Sequence, residues 1–340
     1  MEEFKFIDLF AGIGGFRIAM ESLGGECVFS SEWDKYAQIT YEINYGSKPY
    51  GDITKEEVKN KIPENFDLLC AGFPCQAFSI AGKRGGFDDT RGTLFFEVAS
   101  IIKKHKPKAV FLENVKGLNN HDKGKTLKTI LNTLRDDLGY FVPEPKIINS
   151  KFYGVPQNRE RIFIVGFRDD LNIDEFKYPT NNKISSVVED VIEKNEVSVK
   201  YYLSNQYLNT LREHRKRHES KGNGFGYQIL DNDSVANAIV CGGMGKERNL
   251  IIDKRLSTFI PVTKIKGEVN KEGIRRLTPR ECARLQGFPE SFKIEVSDAQ
   301  AYKQFGNSVA IPAIKATGLK ILTKLVNALP TKNYKKRNKN

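Results

Sequence analysis

Gly72-Phe73-Pro74-Cys75-Gln76 sets one thiol in a turn framed by glycine and proline. The apolar run before it, residues 66–71, has the length and composition of a buried strand. A thiol at the carboxyl end of a parallel strand lies where open α/β sheets hold their ligands. Proline fixes its own φ and turns the preceding residue away from helix, so this turn is stiff. Stiffness suits a nucleophile, for which aim matters as much as reactivity. The competing reading is a buried structural cysteine.

A second constellation lies near the start. Asp8-Leu9-Phe10-Ala11-Gly12-Ile13-Gly14-Gly15 ends one apolar run and opens a helical one. Glycines there let the main chain approach a ligand, and a helix N-terminus favours polar or anionic groups. The dinucleotide fingerprint wants a third glycine where this chain has Arg17, which weakens a nicotinamide reading. Glu32 follows Gly12 by twenty residues, at the end of the second apolar run. A carboxylate there can accept both hydroxyls of a ribose. Trp33, the only tryptophan, could pack on a purine face, and Asp52-Ile53 could meet the adenine edge. Otherwise Trp33 is core and Glu32 a surface acid. The ordered set favours an adenosine site without a pyrophosphate.

These residues need elements to place them. Residues 5–10, 26–30, 66–71, 109–112, 141–148 and 161–167 read as strands. Residues 15–23, 35–44, 93–105 and 126–138 read as helices between them. Such alternation predicts a Rossmann-like α/β fold with a mostly parallel, doubly wound sheet. The rhythm stops near Lys177, where polar and glycine-rich loops begin. Helical signals return at 278–286 and across 300–329, the latter restarting near Pro312. The expected organisation is a domain over 1–177, a smaller loop-rich domain over 178–274 and a return segment over 275–330. A basic tail over 331–340 is expected to be disordered.

Bulk properties narrow the class. The chain has 340 residues, 39% of them hydrophobic, and a mean hydropathy of −0.45, as expected of a soluble globular protein. No run approaches the roughly 20 apolar residues of a membrane span. The start lacks the layout of a signal peptide, so a cytoplasmic protein is expected. Five irregularly spaced cysteines without a C-x-x-C argue against a disulfide framework or a zinc site. A net charge of +12 invites a polyanion. Arg212, Arg215, Lys216, Arg217 and Lys221 cluster against Glu213 and Glu219. The interleaved His214 and His218 therefore suit a basic, phosphate-facing helix better than a metal site.

Seven motifs in order resemble the bacterial DNA (cytosine-5) methyltransferase family. They are residues 10–15, Glu32-Trp33, residues 72–76, Glu113-Asn114-Val115, residues 157–161, residues 276–281 and residues 304–309. The first 170 residues are similar to the catalytic region of the HhaI methyltransferase. The resemblance implies S-adenosyl-L-methionine as cofactor, bound by Phe10, Gly12, Ile13, Gly14, Gly15, Glu32, Trp33, Asp52, Ile53, Pro74, Leu94, Asn307 and Ser308. The last two imply that the C-terminal segment returns to complete the sheet. It implies double-stranded DNA as substrate, a monomer, no metal and, as a genetic partner, a cognate restriction endonuclease.

The resemblance also assigns chemistry. Cys75 would add as thiolate to C6 of a flipped-out cytosine, and Glu113 would protonate N3. Asn114 would order the turn. Arg159 and Arg161 would orient Glu113 and reach the cytosine O2, Arg161 the better placed by motif. Residues 76–96 would close over the base, with Gln76, Ser79, Lys83, Arg84 and Arg91 on DNA. A serine of the HhaI enzyme is Ala81 here, which removes one lid hydroxyl. Residues 178–274 would read the target sequence, with Phe225, Tyr227, Arg248 and Asn249 available to the groove. Rival readings are a transfer-RNA cytosine-5 methyltransferase, a non-catalytic DNA-binding relic and a nicotinamide oxidoreductase. The long recognition region and the Phe73-Pro74-Cys75 form weigh against the first, intact Cys75, Glu113 and Arg161 against the second, and Arg17 with the absence of a hydride-transfer constellation against the third.

Overall fold

A computed structural model describes residues 3–74, 94–222, 226–241, 247–260 and 265–328. The first half alternates as its apolar spacing predicts. The elements are β1 (Phe4–Leu9), α1 (Gly15–Glu21), β2 (Gly25–Ser31), α2 (Lys35–Tyr45), a short α3 (Glu56–Lys59) and β3 (Leu68–Gly72). Then come α4 (Leu94–His105), β4 (Ala109–Val115) and α5 (Lys125–Asn132), the last running into a π-turn over 133–137. The strands β5 (Tyr140–Phe141), β6 (Lys146–Asn149), β7 (Gln157–Asn158) and β8 (Glu160–Arg168) follow.

Seven strands form the central sheet in the order β2-β1-β3-β4-β8-β5, with β6 also on β8. The first four are mutually parallel. Strand β8 runs against β4, and β5 and β6 run against β8, so six strands share one direction. Period-two alternation splits their side chains between two cores. Phe4, Phe6, Phe111, Phe163 and Val165 face one layer, where α1 contributes Phe16, Ala19 and Met20. Ile7, Leu9, Val110, Leu112 and Ile164 face the other, covered by α4 and α5.

The region after 178 holds α6 (Asn205–Glu219), β9 (Ala236–Asn237), β10 (Leu250–Ile252) and β11 (Ile274–Arg276). A small cluster of Leu203, Leu208, Leu211, Leu250 and Ile274 packs there. Val188, Val191, Leu230, Ile239 and Ile251 instead join the main core, and β7 pairs with β9, so this region is fused to the catalytic layer. The return segment gives α7 (Pro279–Leu285), α8 (Asp298–Asn307) and α9 (Ile311–Ala328). Thr278 and Glu281 form a capping box that starts α7. The long C-terminal helix expected to restart near Pro312 does so. Its buried face, Ile314, Ile321, Leu322 and Leu325, lies in the same core as α1. Among the described residues no helix is long and apolar enough to cross a membrane.

Candidate active site

Parallel β1, β2, β3 and β4 bring their carboxyl ends to one edge, and the sequence-predicted residues lie along it. Leu9 pairs with Ser31 on one side and Ala71 on the other, and Gly72 pairs with Glu113. The loop after β1 is forced: Phe10 takes φ 57°, a left-handed conformation that L-residues adopt only under constraint. Ala11 N–H is tied to the Ser31 carbonyl at 2.8 Å. Gly12 also has positive φ, and no atom lies within 4 Å of where its Cβ would be. An open main-chain surface is what a bound nucleoside needs.

Glu32 and Trp33 reverse the bland alternative. Glu32 is buried, and its carboxylate accepts from the main-chain N–H groups of Gly12 (2.8 Å) and Asp34 (2.7 Å). Burial pushes its pKa up, against the pull of those donors. Trp33 is the exposed member, at 78%. Ile53 is buried beneath this edge, and Asp52 accepts from Thr54 N–H at 3.0 Å. Ser308 arrives from the far end of the chain. A Cβ on Gly15 would lie 3.0 Å from Ser308 Oγ and 2.7 Å from Val309 Cγ2. Two further ties hold the return segment here. Lys303 pairs with Asp34 at 2.6 Å, and Gln304 donates to the Tyr36 carbonyl at 2.9 Å. An open loop, an acid that fixes it, an exposed indole and a returning hydroxyl together suit an adenosyl group. Ile13, Gly14 and Gly15 are buried behind the loop, Pro74 is exposed and Leu94 half-buried.

The residues expected to be catalytic lie along the next strand ends. Glu113 is buried at the end of β4, and burial raises its pKa against the opposing charges of Arg161 and then Arg159. Arg161 Nε lies 3.1 Å from Glu113 Oε1, an ion pair without hydrogen-bond alignment. The reversal of β8 makes this possible. Antiparallel pairing sets Arg161, near the start of β8, opposite Val115 at the end of β4. Asn114 donates to the Phe73 carbonyl at 2.8 Å and so pins the turn that leads to residue 75. Cys75, Gln76, Ser79, Lys83, Arg84 and Arg91 lie outside the described residues, as does Phe225.

Two expected placements differ. Arg159 is not arranged to orient Glu113. It is 2% exposed, and its guanidinium donates to the carbonyls of Ile239 (3.0 Å), Gly306 (3.0 Å) and Ser308 (2.6 Å). Asn249 does not face a groove. It is buried, and its amide exchanges hydrogen bonds with the Asn237 main chain. Sequence reasoning missed Gln157, fully buried, and Cys241, whose thiol meets Asn307 Oδ1 at 2.5 Å. The Gln157-Asn158-Arg159 run was visible as a polar stretch, but the destinations of its donors were not.

A mostly parallel sheet of this topology, with the expected ligand residues along its carboxyl edge, is the fold of S-adenosylmethionine-dependent methyltransferases. The methyltransferase EhMeth of Entamoeba histolytica has the same fold, with a TM-score of 0.71 at 19% identity over 97% of this chain and 100% of that one. The profile of C-5 cytosine-specific DNA methylases matches residues 4–323. Type II methyltransferase M.HpaII of Haemophilus parainfluenzae is 70% identical over 326 residues, 96% of this chain and 91% of its own. Type II methyltransferase M.HhaI of Haemophilus parahaemolyticus is 44% identical over 324 residues, 92% of each. The chain belongs to the C-5 cytosine-specific DNA methylase family: it is a DNA cytosine-5 methyltransferase that uses S-adenosylmethionine.

Proposed function

We propose that the chain is the modification enzyme of a type II restriction–modification system, acting through a covalent adduct at Cys75. The carrying observation is the strand pair Gly72–Glu113. It sets a buried carboxyl, its pKa raised by burial, beside the turn that leads to the thiol. The Cys75 thiolate adds to C6 of a cytosine swung out of the duplex, at a cost of a few kcal/mol. Glu113 gives its proton to N3 as charge builds on the ring, and C5 becomes nucleophilic. Arg161 steadies Glu113 and reaches for the cytosine O2. S-adenosylmethionine supplies an electrophilic methyl group on a sulfonium, held by the Gly12 loop, Glu32, Trp33, Asp52, Asn307 and Ser308. Loss of the C5 proton then expels the thiolate and restores the ring.

Residues 178–274 form the target-recognition part in this reading, with Gln76, Ser79, Lys83, Arg84 and Arg91 on the DNA backbone. The aligned span shared with M.HpaII necessarily includes most of 178–274, which supports a target sequence in common with that enzyme. A monomer working in the cytoplasm beside a cognate endonuclease completes the proposal.

The test is incubation with S-adenosylmethionine and unmethylated genomic DNA, followed by bisulfite mapping. One short motif methylated throughout, and the same for both enzymes, is the expected result. Absence of methylation despite cofactor binding overturns the reading. Cys75→Ala is expected to abolish methylation while DNA still binds, and full activity in that variant eliminates the covalent route.

A further inference from the structure

Gln157 and Arg159 stand two residues apart, both buried, where β7 gives way to β8. Together they hold one residue of the recognition region by both of its main-chain groups. Ile239 N–H donates to Gln157 Oε1 at 2.9 Å, and the Ile239 carbonyl accepts from Arg159 Nη1 at 3.0 Å. The other arm of Arg159 reaches the return segment at the Gly306 and Ser308 carbonyls. Gly306 lies in the last turn of α8, where carbonyls lack helical partners and carry the negative end of the helix dipole.

Two further contacts join the same segments without Arg159. A Cβ on Gly306 would lie 2.8 Å from both Val240 C and Cys241 N, so the two main chains touch. Cys241 Sγ meets Asn307 Oδ1. Three stretches far apart in sequence, 157–159, 239–241 and 306–308, therefore form one hydrogen-bonded knot. The first leads in two residues to Arg161, the second belongs to the recognition region, and the third touches the cofactor loop.

We infer that Gln157 and Arg159 are positioning residues that couple cofactor binding to DNA recognition. The inference rests on the proposed roles of 306–308 and 178–274. A shift of 239–241 on DNA cannot leave 306–308 in place, because one rigid guanidinium bonds both. Lysine could not substitute: a point charge cannot match a planar fork spread over three carbonyls. Coupling of this kind is reciprocal, so whatever DNA does for cofactor affinity the cofactor does for DNA affinity. The cation also bears on Glu113, whose proton it helps to release.

Calorimetry separates the outcomes. S-adenosylhomocysteine is titrated into the protein alone and into the protein saturated with sheared unmethylated genomic DNA. The unsubstituted chain is expected to show about a tenfold difference in affinity, within the usual range of coupling. Arg159→Lys should bring the ratio below about twofold. Gln157→Met, which frees the Ile239 N–H and the Leu285 carbonyl but leaves the Arg159 bonds in place, should lower it partway and serves if Arg159→Lys does not fold. A ratio near one in the unsubstituted chain, or an unchanged ratio in a folded variant, overturns the inference. Failure of the unsubstituted chain to bind either ligand would instead count against the proposed function. Arg159→Gln adds a readout that packing alone would not move: the alkaline limb of kcat, set by Glu113, should shift to higher pH.

Discussion

In the proposed mechanism Glu113 works only while it holds a proton. Burial is the larger influence on it and favours the neutral acid, while Arg161 and Arg159 act in the opposite sense. The raised folded pKa means that turnover is kept below that value and lost as pH rises through it. Glu113→Gln is expected to cost about 10²–10⁴ in kcat and to remove that alkaline limb, checked by single-turnover rates across pH. A limb that persists in the variant belongs to another group. Trp33 offers the contrasting case. Being exposed, it contributes little to folding, so Trp33→Ala should leave stability within about 0.5 kcal/mol yet weaken cofactor affinity more than DNA affinity. Equal losses by calorimetry would remove it from the cofactor site. At this scale the sequence was informative about identity and poor about surroundings. Glu32 and Trp33 could be picked out by spacing, but which was buried depended on the 2.8 Å bond from Gly12 N–H, a contact that spacing does not encode.

Elements were legible where their residues alternate. β1 reads as a strand because Phe4 and Phe6 alternate with residues of the opposite face, and both faces find a core. Strand direction was not legible. Nothing local in 160–168 says that β8 runs against β4, because that is decided by pairing partners brought together only in the folded sheet. Yet this reversal is what delivers Arg161 to Glu113. The junction of α8 with the recognition region gives the prediction at this scale. Alanine at a helical glycine ordinarily gains about 1 kcal/mol. At Gly306 the new methyl would meet main chain at 2.8 Å, which no rotamer change relieves. Gly306→Ala should therefore destabilise, by about 1–3 kcal/mol as for overpacking. Urea unfolding measures it, and a stabilised variant would show the contact to be looser than described.

For the whole molecule, a buried ionic cluster ties residues 253–255 to residues 275–281. Arg275, fully buried, donates to both oxygens of Glu281 and to Asp253, which also accepts from Arg255. Burial alone would raise the Asp253 pKa, but the Arg255 and Arg275 hydrogen bonds hold it well below the usual carboxylate range. Its stabilising effect is present above its unfolded value of about 3.9 and is lost as pH falls below that. Arg275→Met strands buried carboxylates and should cost about 3–5 kcal/mol. It should also shrink the acid-side loss of melting temperature that the intact cluster shows. An acid limb of unchanged size would mean that Arg255 alone sets Asp253.

The proposed adenosyl site draws on residues far apart in the coding order. Gly12 and Glu32 are made first, whereas Ser308, with the α9 helix that follows it, is made about 276 residues later (308 − 32). At translation rates of roughly 5–20 residues per second, the early half of the cradle waits on the order of tens of seconds for its other wall. During that interval the growing chain lacks the contact that Ser308 and Val309 make with Gly15. A chain that stalls or is cut before Ser308 is therefore expected to lack methyltransferase activity. DNA marking is then expected only from molecules made past Ser308, so that newly made protein protects DNA with a lag set by its own synthesis.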